Sequence, residues 1–161
     1  MNREEVCTCW PGATVWLTGL PDTGTTTIAR ELAGRLREEG RRVEVLDADA
    51  AGGHLSAGSA PSPEDRSASG RRVGTLAEVL ARNGIVALVP ATAACAAGRE
   101  AVRARHRASG TPYVEVHVAA PVAERPDDEP KDPDLRIDSP ALTARESAAA
   151  LHTLLAERGL A

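Results

Sequence analysis

Ala13-Thr14-Val15-Trp16-Leu17-Thr18-Gly19-Leu20-Pro21-Asp22-Thr23-Gly24-Thr25-Thr26 is the stretch that decides the fold. Its first six residues are apolar or β-branched, the composition of a strand, and Gly19 ends them. Residues 26–39 then read as a helix, because Ile28, Leu32 and Leu36 recur every four residues and Gly40 stops the pattern. The loop between them has the spacing Gly19-x-x-x-x-Gly24-Thr25-Thr26. In that setting the pattern G-x-x-x-x-G-K-[S/T] cradles phosphate, because glycines let backbone N–H groups curl around the oxygens at the positive end of the helix. Thr26 stands where a hydroxyl would bind Mg²⁺, but Thr25 replaces the lysine that would reach the β- and γ-phosphates. A threonine hydroxyl donates one hydrogen bond, carries no charge and reaches less far. Alone, the loop leaves two readings open: a phosphate cradle, or a glycine-rich turn without a ligand.

Working outward, residues 42–47 read as a second strand and residues 50–62 as a loop rich in Gly, Ala and Ser. Ser62-Pro63-Glu64-Asp65 starts a helix, with Ser as N-cap, Pro at the first helical position and acid in the first turn; it should run to about Asn83 despite Gly70 and Gly74. Residues 85–89 are apolar throughout, as suits a strand buried on both faces. A helix over 97–109, a strand over 113–118 and a short strand over 134–138 follow. Thr143-x-x-Glu146 is a capping box that opens the last helix, and Gly159 ends it. This order implies an α/β fold: a five-stranded parallel sheet, its first strand central, between two layers of helices. We expect one domain over residues 1–161, with an N-terminal extension at 1–11 and a Pro- and Asp-rich connection at 120–133.

Composition narrows the function. With 42% hydrophobic residues among 161, a packed interior is expected, and a net charge of −4 without a basic face argues against nucleic acid. No apolar run approaches the roughly 18 residues of a membrane span and the N-terminus has no apolar leader core, so a cytoplasmic protein is expected. Cys7, Cys9 and Cys95 make no disulfide framework, and Cys7-Thr8-Cys9 lacks a second Cys/His pair at metal spacing. The four histidines show no metal spacing either, and His117 reads as a strand residue. Trp10 and Trp16 read as packing residues, and Arg103, Arg105 and Arg107 as a solvated helix face. Lys131 is the only lysine in the chain and reads as a solvated residue of an acidic loop.

The sequence around the loop resolves the two readings. Trp16-Leu17-Thr18-Gly19-Leu20, Thr27-Ile28-Ala29-Arg30-Glu31-Leu32-Ala33 and Val45-Leu46-Asp47-Ala48-Asp49 together resemble adenylylsulfate (APS) kinase, a P-loop enzyme that phosphorylates the 3′-hydroxyl of APS to give PAPS. The likeness continues in order through Ser62-x-Glu64-Asp65-Arg66, Arg71-Arg72-Val73, Arg99-Glu100-Ala101-Val102-Arg103, Val114-Glu115-Val116-His117-Val118 and Pro133-Asp134-Leu135-Arg136-Ile137-Asp138. It implies a three-layer P-loop kinase fold, Mg-ATP as cofactor and APS as acceptor. By resemblance, Gly19, Asp22, Thr23, Gly24, Thr25, Thr26 and Thr27 would meet the nucleotide, and Asp47 and Asp49 would serve catalysis, Asp49 being the better candidate. Thr26 and Asp49 would hold Mg²⁺, and Arg66 and Ser69 would meet APS, Ser69 standing where the family has asparagine.

The departures from the family cluster at the same place. The family's arginine falls at Gly52, its adenine-stacking phenylalanine at Pro61, and its Ser-Pro-Tyr stretch at Ala93-Ala94-Cys95. Its long mobile lid is cut to the remnant at 120–133. Asp22 enters the loop, where its carboxylate would either oppose a polyphosphate or turn inward and take the loop's own N–H groups. The expectation is an APS-kinase-like domain impaired or inactive in phosphotransfer, kept as a nucleotide-binding or regulatory partner, for example of a sulfate-activation enzyme. The alternative is an active APS kinase making PAPS. The resemblance also makes a homodimer plausible.

Overall fold

The computed structural model describes residues 10–47, 63–92, 95–120, 129–139 and 141–161. Five strands run in chain order: β1 (Ala13–Gly19), β2 (Val43–Val45), β3 (Val86–Thr92), β4 (Tyr113–Ala119) and β5 (Leu135–Asp138). The helices are α1 (Thr25–Glu38), α2 (Pro63–Arg82), α3 (Ala96–Ser109) and α4 (Ala144–Glu157). All pairings are parallel, in the order β2-β3-β1-β4-β5, so the first strand is central as expected.

The alternation of β1 explains the layers. Ala13, Val15 and Leu17 point to one face and pack with Ile28, Leu32 and Leu36 of α1 and Leu151 and Leu155 of α4. Trp16 points to the other face, among Val73 and Ala77 of α2 and Val102 of α3, and is fully buried. The helices thus form two pairs, α1 with α4 and α2 with α3, one pair on each side of the sheet. Arg41 fastens the margin of the first layer: its guanidinium lies 4.8 Å over the Trp10 ring and donates to the carbonyls of Leu160, at 2.6 Å, and Pro11, at 2.8 Å.

Three readings change. β3 continues past Val89 through Pro90 to Thr92, although proline normally ends an interior strand. Val86 N–H donates toward β2, to the Arg42 carbonyl, and the Leu88 carbonyl accepts from Leu46 N–H. By alternation Pro90 faces that same side, one step beyond the end of β2, so its missing N–H costs no ladder bond. β2 is shorter than the 42–47 run, spanning Val43–Val45, although Arg42 and Leu46 on either side still bond through their backbones to β3. The arginines of α3 are not simply a solvated face. Arg103 pairs with buried Glu115 of β4, and Arg105 lies 3.3 Å from buried Glu78 of α2. The Thr143–Glu146 capping box is present in both directions.

Candidate active site at the carboxyl edge of the sheet

In a parallel sheet with crossover helices, the loops that follow the strands lie together at the carboxyl edge, beside the first turns of the helices. The loop after β1 occupies the middle of that edge because β1 is the middle strand. Gly19 pairs with Thr92 of β3 and Val118 of β4. A Cβ there would fall 2.7 Å from the Val118 carbonyl oxygen and 2.7 Å from Thr23 Oγ1, so only glycine fits. The loop then closes on itself, Thr23 donating through both its N–H (3.3 Å) and its hydroxyl (2.8 Å) to the Leu20 carbonyl.

Two residues here have left-handed backbones: Asp22, φ 66°, and Gly24, φ 87°. Gly24 is the N-cap of α1, and its carbonyl accepts the first helical bond, from Ile28 N–H at 2.9 Å. Alternation of right- and left-handed residues is how successive N–H groups come to face one concavity, the form of an anion nest. Asp22 is the only non-glycine residue with positive φ among those described. Its side chain is exposed and takes no hydrogen bond from the described residues, which removes the inward-turned arrangement. A far element also reaches the loop: Ser139, just after β5, donates its hydroxyl to the Thr23 carbonyl at 2.9 Å.

A protein-family model described as adenylylsulphate kinase matches residues 11–137, more than three quarters of the chain. The chain belongs to the adenylylsulfate kinase family. A probable adenylyl-sulfate kinase of Aeropyrum pernix is 41% identical over 113 residues, 70% of this chain, and an adenylyl-sulfate kinase of a Synechococcus strain is 44% identical over 118 residues, 72% of this chain. The matched stretches span 62% and 65% of those two proteins, less than two thirds of either. The structure of the Mycobacterium tuberculosis APS kinase in complex with AMPPNP and APS superposes with a TM-score of 0.80, at 30% identity, covering 91% of this chain and 98% of that one.

Within this family frame, the residues singled out in the sequence fall as follows. Thr25 is buried at the first position of α1, Thr26 half-buried, Thr27 exposed and Thr23 buried. Asp47 ends the segment after β2 at the same edge, half-buried; β2 is two strands from β1, which puts it about 10 Å away. Asp49, Gly52 and Pro61 lie outside the described residues, as do Ala93 and Ala94. Arg66 and Ser69, one turn apart on α2, are both half-buried. α2 and α3 approach closely near their starts, since a Cβ on Gly98 would sit 3.5 Å from Ser67 Cα. No cluster of three or more His, Cys, Asp or Glu suited to a metal occurs among the described residues.

Lys131 is exposed. It lines a surface cavity of about 340 Å³ with Arg99, Arg103 and Glu115, on the α3 side of the sheet, whereas α1 lies on the opposite side. Among the described residues, Ser139 reaches the loop and is not marked in the sequence reading. Nothing local marks it, because its partner is 116 positions away. No helix among the described residues is long and apolar enough to cross a membrane.

Proposed function

We propose that this domain holds the phosphates of ATP weakly through the loop at residues 19–26 and transfers phosphate to APS far more slowly than a lysine-bearing relative, so that it serves as a nucleotide-binding or regulatory partner in sulfate activation. The observation that carries this reading is Thr25: a buried, uncharged side chain where a lysine would reach the phosphates, the chain's only lysine being Lys131, which lines a cavity with Arg99 and Arg103. The backbone of the loop fits a phosphate; its side chains lack the charge.

In this reading Gly24 and the N–H groups opening α1 hold the anion, the Thr26 hydroxyl and Asp49 hold Mg²⁺, and Asp47, just after β2 and near Asp49 in sequence, serves catalysis. Arg66 and Ser69 face the acceptor. With Mg-ATP bound, the cofactor supplies the γ-phosphoryl group and part of the charge neutralisation. Phosphoryl transfer depends on positioning and charge neutralisation more than on covalent help from the protein. Removing one oriented donor to a developing charge costs about 3 kcal/mol, roughly 10²–10³ in rate.

A second reading, an active APS kinase making PAPS, is favoured by the left-handed pair Asp22 and Gly24 and by 41–44% identity to relatives named adenylyl-sulfate kinases. Calorimetric titration with Mg-ATP and with APS, beside a PAPS-forming assay, separates the two. The proposal expects millimolar or undetectable ATP affinity and turnover at least about a hundredfold below the ~1 s⁻¹ at the low end for kinases. Micromolar ATP affinity with turnover near 1 s⁻¹ would establish the second reading.

A further inference from the structure

Ser139 lies 116 residues from Thr23 in sequence, yet its hydroxyl donates to the Thr23 carbonyl at 2.9 Å. Ser139 is itself fixed, since its N–H donates to the Ala119 carbonyl at 2.9 Å and so extends the β4–β5 ladder by one step. The peptide that follows the Thr23 carbonyl carries the N–H of Gly24. In a planar trans peptide, C=O and N–H point in opposite directions. Pulling the Thr23 carbonyl outward toward β5 therefore turns the Gly24 N–H inward, toward the concavity at the start of α1.

That orientation is not secured by the loop alone. Gly24, at φ 87°, has no Cβ, so its own backbone puts little restraint on the orientation of the Thr23–Gly24 peptide. A rotated peptide would aim a carbonyl oxygen into the concavity, and an anion would meet a partial negative charge instead of a donor. The Thr23 hydroxyl cannot prevent this, being committed to the Leu20 carbonyl at 2.8 Å.

We infer that Ser139 is a positioning residue for the phosphate loop: its hydroxyl locks the Thr23–Gly24 peptide so that the Gly24 N–H faces the bound phosphate. The inference rests on the reading of the loop as a phosphate site. It also gives the end of β5 a role at a loop that belongs to β1, with β4 between them.

The test uses inorganic pyrophosphate as probe and the Gly24 amide resonance of nitrogen-labelled protein as readout, in the otherwise native chain and in a Thr25→Lys background. Ser139→Ala and Ser139→Val should weaken pyrophosphate about tenfold, the loss of one oriented hydrogen bond, and should shift the Gly24 amide before any ligand is added. Ser139→Thr, which keeps the hydroxyl, should restore both. A purely structural role would move the melting temperature but leave affinity and the Gly24 resonance unchanged in the folded variants, and that result overturns the inference. So does a Ser139→Thr variant that loses as much affinity as Ser139→Ala. If pyrophosphate leaves Gly24 unmoved in both the native chain and Thr25→Lys, the phosphate site falls and the inference with it. If Thr25→Lys binds and Thr25→Lys/Ser139→Ala binds equally well, only the inference falls.

Discussion

His106 of α3 lies 2.8 Å from the hydroxyl of Thr14 on the central strand, and both residues are fully buried. The tautomer follows from the second ring nitrogen. Nδ1 is 2.8 Å from the Val102 carbonyl, which can only accept, so Nδ1 carries the proton and Nε2 accepts from Thr14. Burial lowers the His106 pKa below its usual value, against the opposing pull of the Val102 carbonyl and of Glu78. The folded state therefore prefers the neutral ring more than the unfolded chain does. Its contribution to stability is complete above the unfolded pKa, about 6.5, and declines as pH falls through that value toward the lower folded one. Thermal unfolding between pH 8 and pH 6 should show a melting temperature that falls toward pH 6. His106→Asn, which keeps a donor for Val102 and cannot titrate, should melt lower at pH 8 but with a flatter slope. An unchanged slope would mean that another group governs the pH response.

Glu115 of β4 is the second buried polar centre. Its carboxylate meets Arg99, itself only 5% exposed, at 3.3 Å, and also Arg103, while its backbone N–H donates to Asp134 Oδ2 at 2.7 Å. The Glu115 pair raises the Arg103 pKa, chiefly through the hydrogen bond. Glu115→Gln would take one carboxylate away from both Arg99 and Arg103, and removing one partner of a buried pair costs about 3–5 kcal/mol. Denaturant unfolding should show a loss of that order. A loss below about 1 kcal/mol, the range of exposed pairs, would show that solvent reaches this cluster.

Gly19 allows a sharper prediction. Its missing Cβ is bounded by the Val118 carbonyl oxygen, a backbone atom held in the sheet. Gly19→Ala must therefore push β4 or the loop aside, at a cost of about 1–3 kcal/mol, with loss of whatever affinity the loop has for pyrophosphate. Gly24→Ala meets no neighbour but puts a side chain at φ 87°, so its cost is backbone strain, about 1–2 kcal/mol. Chemical denaturation of the two variants, with a pyrophosphate titration of each, checks both figures. Equal stability of Gly19→Ala and the native protein would contradict the close approach.

Much of this was readable in the chain. The apolar and β-branched composition of residues 13–18, the four-residue spacing of Ile28, Leu32 and Leu36, and Thr143 with Glu146 are local signals, and each yields the element it predicts. The order of elements then constrains the sheet, and the glycine spacing locates the loop. The extension of β3 from Val89 through Pro90 to Thr92 was not read, because a proline's tolerance there depends on where a neighbouring strand ends, which no local pattern records. Arg103 and Arg105 misled for a related reason: their partners, Glu115 and Glu78, sit on other elements. Ser139 is the extreme case. The absent lysine was legible at once, because a fixed spacing names the position and the chain has a single lysine to place.

That absence suggests a repair. Thr25→Lys with Asp22→Gly should raise ATP affinity at least about tenfold, since a charged contact to phosphate is worth roughly 1.5–3 kcal/mol and Gly19, Gly24, Thr26 and the α1 terminus are already in place. The two substitutions act differently. Lysine adds the charge, whereas Asp22→Gly removes an exposed carboxylate and relieves a left-handed φ of 66°, so it should bind better without melting lower. On the proposed reading, which takes Gly52, Pro61 and Ser69 to stand at the family's APS contacts and residues 120–133 in place of its lid, PAPS formation should stay far below ~1 s⁻¹ in the double variant. Slow ATP hydrolysis is the expected residual reaction, water having access to the γ-phosphate without that cover. Calorimetry with ATP, and a coupled assay run with and without APS, read the three outcomes separately. PAPS formation at ~1 s⁻¹ or faster would mean that the lysine alone was missing, and that lid and APS contacts are dispensable. No gain in affinity would mean that the N–H groups of the loop do not converge on a phosphate, despite the left-handed pair at Asp22 and Gly24.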